Sequence, residues 1–234
     1  MLVIVASRFD TPAHRLKDRW AGDGSCLLTP EDLSVSGWRY PVSDPHNSVA
    51  IIGGRDVKQS QIHGVLTRLQ WVWETELLDI SLDDRAYVSS EMSAFLLCWL
   101  SGLTCPVLNR PSTSCLTGPG WGLERWNFAA SKAGMRVDPI HRRASLTNLA
   151  PTKVETNGER KLVEVTVVGN TCIGDVDRTL ATKAKRLAEI AETDFLTVHF
   201  TGAQADATFA GVNVFPDIDT ESVADAALGY FGRA

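Results

Sequence analysis

Short apolar runs alternate with longer amphipathic stretches along this chain, and their spacing predicts a layered α/β protein. Leu2 to Ala6 is a continuous apolar run, the pattern of a strand buried on both faces in a parallel sheet. Val49-Ala50-Ile51-Ile52, closed by Gly53-Gly54, repeats it, with Ser25 to Thr29 as a strand between and a Pro/Ser/Asp-rich loop around Tyr40 to Asn47. His63 to Arg68 reads as a further strand. Asp84 to Leu103 places Met92, Phe95, Leu96, Trp99, Leu100 and Leu103 at helical spacing, and Pro106 to Asn109 follows as a short strand. Trp121 to Ala133 is a second helix, stopped by Gly134, and Arg136-Val137 begins another short strand. Together these predict a doubly wound, mostly parallel amino-terminal sheet.

Periodicity is lost from Asp138 to Arg160, which marks 139–160 as a linker between a domain at 1–138 and a second at 161–234. The second half then reads as a small α+β unit. Lys161 to Gly169 is a strand and Thr179 to Ala191 a basic amphipathic helix. Phe195 to Phe200 and Thr208 to Val214 are two strands, and Ser222 to Phe231 is a closing helix.

Composition changes this picture little. Apolar residues at 44% and charged residues at 22% are those of an ordinary globular chain. A net charge of −5 without a Lys/Arg block argues against nucleic acid as a partner. The longest apolar runs are far too short to cross a bilayer. Five cysteines without a CxxC pair fit reduced thiols, and hence a cytoplasmic location.

Two blocks carry a resemblance. The segment from Asp84-Arg85-Ala86-Tyr87 through Cys105-Pro106-Val107-Leu108-Asn109-Arg110-Pro111 to Leu116-Thr117-Gly118-Pro119 resembles the pre-ATP-grasp domain of ATP-grasp ligases. The run Asp194 to Phe200, followed by Phe209-Ala210-Gly211-Val212-Asn213-Val214-Phe215-Pro216-Asp217, is similar to the last two strands of the ATP-grasp core. The resemblance implies a cleft at the Asn109-Arg110-Pro111 loop. It also implies a metal site where the family carries an Asp or Glu on the first strand and Glu-x-Asn on the second. This chain has His199 and Gly211-Val212-Asn213 at those places, so His199 and Asn213 are the remnants of a magnesium set for which imidazole is a poor substitute. Residues 138–160 stand where the family inserts a glycine-rich lid and phosphate-binding lysines. Lys153 and Lys161 are the lysines available there, neither in a Lys-Pro-x-x-Gly context.

Individual side chains keep two readings each. Glu91, polar within an apolar helix, faces either the cleft or solvent. Asn109, Arg110, Ser112 and Thr113 suit an anionic carboxylate or phosphate, since Arg offers a planar fork, yet a structural loop with a capping Arg explains them equally. His199 is either a half-buried strand histidine or a partner of Asn213. Cys115 is the thiol to test as a nucleophile, although no histidine is placed by sequence to activate it. Trp71 and Trp73 form an aromatic patch that suits either a core or a homodimer interface.

The expectation is an ATP-grasp-derived protein lacking the usual lid and magnesium carboxylates, with no cofactor. It would be a non-catalytic binding or accessory protein whose ligand is a small molecule, a peptide or a partner protein. The alternative is a minimal ATP-dependent carboxylate-amine ligase, completed by a second subunit or by unrecognised residues and using Mg-ATP. Sequence does not decide whether the chain is an enzyme.

Overall fold

The computed structural model describes residues 1–140 and 162–232. Its elements are β1 (Leu2–Val5), α1 (Thr11–Arg19), β2 (Ser25–Leu28), α2 (Pro30–Leu33), β3 (Val49–Ile52), β4 (Arg55–Lys58), β5 (Gly64–Thr67), α3 (Arg85–Gly102) and β6 (Val107–Leu108). They continue with α4 (Leu123–Lys132), β7 (Arg136–Val137), β8 (Val163–Val168), β9 (Thr171–Ile173), α5 (Arg178–Ile190), β10 (Phe195–Phe200), β11 (Thr208–Asn213) and α6 (Glu221–Phe231).

The first sheet runs β2-β1-β5-β6 with every neighbouring pair parallel. Strand periodicity sends alternate β1 residues to opposite faces. Leu2 and Ile4 pack with Ala13, Leu16 and Trp20 at α1 and with Val223, Ala227 and Phe231 of α6. Val3 and Val5 pack with Leu96, Trp99 and Leu100 of α3 and with Ala50 and Ile52 of β3. Helices therefore cover both faces, and the expected doubly wound α/β sheet is present.

Two features depart from the expectation. Helix α1 is read nowhere in the apolar pattern, because it buries only Ala13 and Leu16 within its span. Its local signals are a cap and its charges: Asp10 accepts a hydrogen bond from Ala13 N at 3.1 Å, Pro12 lies in the first turn, and Lys17 and Arg19 close the last. Strand β3 is the second. It is buried along its length as expected, but it pairs antiparallel with β4 in a separate hairpin, Val49 opposite Lys58, instead of joining the parallel sheet. Gly53 and Gly54 have φ of 57° and 72°, the two left-handed positions of a tight hairpin turn.

The second sheet runs β7-β11-β10-β8-β9 and is antiparallel except at β7-β11. One face is apolar: Val165, Val167, Leu196, Val198 and Phe200 pack against Trp126 and Ala130 of α4 and Leu180, Ala184 and Leu187 of α5. The elements α4 and β7 thus lie in the second core although they precede residue 138. Conversely, α6 returns from the end of the chain to pack on the first sheet. The expected linker at 139–160 falls almost wholly outside the described residues.

Candidate functional site

In the order β2-β1-β5-β6, the chain winds away from β1 in both directions, so the carboxyl ends of β1 and β5 border the crevice where open α/β sheets take ligands. Arg68, just past β5, is 6% exposed and fixes this crevice. Its Nε donates to Asp10 Oδ2 at 2.9 Å and its Nη1 to Pro216 O at 2.9 Å, while the guanidinium lies over the Phe215 ring at 4.0 Å. The cap of α1, the end of β5 and the loop after β11 are thereby drawn onto one cation. A buried charge is tolerated because carboxylate, carbonyl and ring all answer it.

Beyond Arg68 the chain is extended, with Val72 fully buried and Trp71 and Trp73 on either side of it. Val72 is clamped by α3: Ser93 Oγ accepts from Val72 N at 3.1 Å and Ser89 Oγ donates to Val72 O at 2.6 Å. With Val72 held inward, Trp71 and Trp73 line a cavity of about 650 Å³ between the two halves. Trp121, Trp126, Cys115 and Asn213 line it as well. Trp121 stands 4.8 Å from Trp126 between ring centroids and 4.1 Å from the Arg125 guanidinium. The loop 112–120 closes tightly. Leu116 N donates to Gln70 O at 3.0 Å, and a Cβ on Gly120 would lie 2.8 Å from Ser114 Oγ.

A second cavity of about 400 Å³ in the crevice shares Gln70 and Trp73 with the first and is lined also by Phe9, Asp10, Arg68 and Glu76. Neither Arg68, Asp10 nor Glu76 belongs to a sequence motif. The available signal for Arg68 was an arginine ending an otherwise apolar strand.

The residues expected to bind a ligand are scattered. Asn109 is buried and all its hydrogen bonds are internal. Nδ2 donates to Thr117 O (3.1 Å) and Phe195 O (2.6 Å), and Oδ1 accepts from Asp194 N (3.1 Å) and Phe195 N (2.7 Å). It holds β6 to the start of β10. Arg110 donates to Leu103 O and Cys105 O, both at 3.2 Å, and so caps the end of α3. Ser112 Oγ donates to Gly118 O at 2.7 Å, Thr113 is exposed, and Glu91 is exposed on α3 outside these cavities. Cys115 lines the larger cavity, with Sγ 3.2 Å from Thr117 Oγ1.

His199 and Asn213 do come together. The register sets Thr197 opposite Asn213 and His199 opposite Gly211, which puts both side chains on the polar face of the second sheet. That face borders a cavity of about 370 Å³ with Glu164 and Asp217. Two of its oxygens are engaged, Asn213 Oδ1 accepting from Phe215 N at 2.8 Å and Asp217 Oδ1 from Asp219 N at 2.9 Å, while the Glu164 side chain is exposed. His199 Nδ1 is 3.4 Å from Glu164 Oε1, without hydrogen-bond geometry. Among the described residues no three His, Cys, Asp or Glu side chains converge on a point that would hold a metal ion. Lys153 and Lys161 lie outside the described residues.

No helix among the described residues is long and apolar enough to cross a membrane. No family profile and no curated protein matches the sequence. Solved structures do. A ligase from Chryseobacterium gregarium, described as RiPP-associated ATP-grasp and in complex with ADP and a leader and core peptide, is 11% identical over 99% of this chain and 96% of that one, with a TM-score of 0.69. The macrocyclase MdnC of Microcystis aeruginosa MRC, bound with precursor peptide MdnA, is 10% identical over 100% of both chains, with a TM-score of 0.70. The ATP-grasp ligase PsnB, complexed with minimal precursor, Mg and ADP, is 12% identical over 99% of this chain and 98% of that one, with a TM-score of 0.64. At these identities the likeness is one of fold, and the fold of this chain is that of the ATP-grasp ligases.

Proposed function

We propose that this chain is a peptide-binding accessory protein that keeps the ATP-grasp fold without itself carrying out Mg-ATP chemistry. The observation that supports it is the contrast between two sites. On the polar face, Asn213 Oδ1 and Asp217 Oδ1 already accept backbone hydrogen bonds, and the imidazole of His199 is a poor magnesium ligand. The cleft between the halves presents Trp71, Trp73, Trp121 and Trp126 around about 650 Å³. Indole rings provide large, rigid apolar area at little entropic cost, which suits recognition of a peptide's side chains. Similarity in fold to proteins described as bound to leader and precursor peptides points the same way.

The cleft also has a strand edge. β7 pairs with β11 only at Thr208 and Phe209, and Gly211, Val212 and Asn213 beyond that pairing line the cavity. An extended peptide laid along this edge would gain main-chain hydrogen bonds, with its alternate side chains set against the indoles.

Selection of a random dodecapeptide library on the full chain tests this reading. Enriched peptides should bind saturably and lose about tenfold or more in affinity with Trp71→Ser, the range expected for an aromatic anchor. Peptides that bind the folded Trp71→Ser variant as tightly as the wild type would refute it. The second reading, a ligase completed by another subunit, is favoured by PsnB, described with Mg and ADP across nearly the same span of fold. It requires an ATP-dependent activity that appears when a partner is added.

A further inference from the structure

The four-tryptophan cavity is rich in donors that the protein leaves unused. An indole N–H donates and cannot accept. Among the described residues, none of Trp71, Trp73, Trp121 and Trp126 donates from its ring nitrogen to a protein group, whereas Trp38 Nε1 donates to Asp32 O at 2.8 Å. Trp126 matters most. It is 7% exposed and unpartnered, yet its Nε1 is not sealed from solvent as that of Trp20 is. Asn213 adds a further donor, because Oδ1 already accepts from Phe215 N and the Nδ2 group remains.

Side-chain acceptors along the same wall are few. Ser114 Oγ lies 3.4 Å from Ser112 Oγ, Cys115 Sγ lies 3.2 Å from Thr117 Oγ1, and Gln70 is exposed. No charged side chain among the described residues lines the cavity. The wall therefore suits a ligand that is uncharged, apolar in outline and supplied with carbonyl oxygens.

The strand edge says which residue of a peptide meets that description. The edge of β11 is open beyond Phe209, where its pairing with β7 stops short of Pro139, which has no N–H to continue it. Successive residues of a strand direct their backbone groups to opposite sides, so a peptide paired with this edge turns every second N–H and C=O away from β11. The carbonyls turned away meet indole donors. An N–H turned away meets few acceptors and is costly to bury. Proline removes that N–H, is tolerated on an edge strand, and lays an apolar ring against the indoles.

We propose that the segment recognised in this cavity carries a proline at a position turned away from β11, with a carbonyl beside it accepting from the indole N–H of Trp126. The assignment rests on the peptide-binding reading and narrows it to proline-containing segments.

The test uses 15N-labelled full chain and blocked pentapeptides. The indole N–H of Trp126 is assigned by comparison with Trp126→Phe and followed during titration. Acetyl-Ala-Pro-Leu-Pro-Ala-amide should shift it saturably. The same peptide with alanine for both prolines should bind about tenfold more weakly, the size expected for burying an N–H without an acceptor. N-methylalanine at those positions, which also lacks the N–H, should bind more tightly than alanine. Trp126→Phe keeps the ring and loses the donor, and should weaken the proline probe by about fivefold to tenfold. The comparison of probes on the wild type needs no variant and stands if Trp126→Phe does not fold. Equal affinity for the proline and alanine probes, an unmoved Trp126 N–H at saturation, or cellobiose shifting that N–H where the proline probe does not would overturn the proposal. Library peptides bound through Trp71 without enrichment of proline would remove this assignment while leaving the peptide-binding reading intact.

Discussion

Asn109 provides the sharpest energetic test of how the two halves are joined. Its side chain makes four hydrogen bonds to backbone groups of Thr117, Asp194 and Phe195, at 2.6 to 3.1 Å, and is 2% exposed. Asn109→Ala would leave Asp194 N, Phe195 N and two carbonyl groups without that partner at the start of β10. An intramolecular hydrogen bond contributes about 1 kcal/mol net, whereas a buried group left unsatisfied costs about 1–3 kcal/mol. Asp194 N is partly buried and can recruit water, so the full cost falls mainly on Phe195 N and the carbonyls. The expected loss is about 3–5 kcal/mol, a large part of the ~5–15 kcal/mol typical of a folded domain. With a urea m-value of about 2 kcal/mol/M, the midpoint should fall by about 1.5 to 2.5 M. Asn109→Asp should not recover the loss, because it keeps the acceptor for the two N–H groups but sets a buried carboxylate oxygen against Thr117 O and Phe195 O. A shift below about 0.5 M for Asn109→Ala in urea unfolding followed by circular dichroism would refute the reasoning, and would return Asn109 to the residues free to bind a ligand.

Further outcomes follow from the same geometry. Ser93→Ala removes the acceptor for Val72 N, so it should destabilise by about 1–2 kcal/mol and weaken peptide binding by loosening Trp71 and Trp73, whereas Ser90→Ala on the exposed side of α3 should be close to neutral. Urea midpoints and peptide affinities of the two variants check this. Tyr230 has its pKa pushed up to about 12 by burial and by its hydrogen bond to Asp194. Its folded value lies above the ordinary phenol value of about 10, so its contribution to stability is intact below about pH 10 and is lost as pH rises toward 12. Urea midpoints at pH 9 and 11 should diverge in the wild type and less so in Tyr230→Phe. Asp219, held below the usual carboxylate range by Arg15, acts at the other extreme: its contribution is present above about pH 4 and is lost as pH falls through its lowered folded value. Asp219→Asn should therefore flatten the acid limb of the stability profile.

The parts of the fold legible in sequence are those whose signal is local. β1 and β10 are continuous or alternating apolar runs, and α3 repeats its apolar residues from Met92 to Leu103, about three turns, so periodicity identifies them. α1 was not legible because its buried stripe is two residues long within its span, and its cap and terminal charges are weak cues alone. β3 shows why burial does not determine pairing: the same apolar run serves a parallel strand or a buried hairpin arm, and only Gly53-Gly54 distinguishes them. The site is less legible still. Asn109 stands out in sequence as a polar residue at a cleft-forming loop, but its partners at Asp194 and Phe195 lie 85 and 86 positions away. Arg68 meets Asp10 across 58 positions, and Arg8 meets Glu76 across 68. β10 and β11 read as neighbouring strands in sequence, which is their pairing in the fold and puts His199 and Asn213 on one face. Whether their donors were free was a question only the loop after β11 could answer.

We propose that the fold is retained while its polar face does not receive magnesium and nucleotide. Calorimetric titration of the full chain with ATP and magnesium, repeated on Asn213→Ala, tests that claim most directly. The account predicts no saturable heat from either protein while both show the circular dichroism of the folded state. Saturable, magnesium-dependent binding by the wild type that is lost in Asn213→Ala would contradict it.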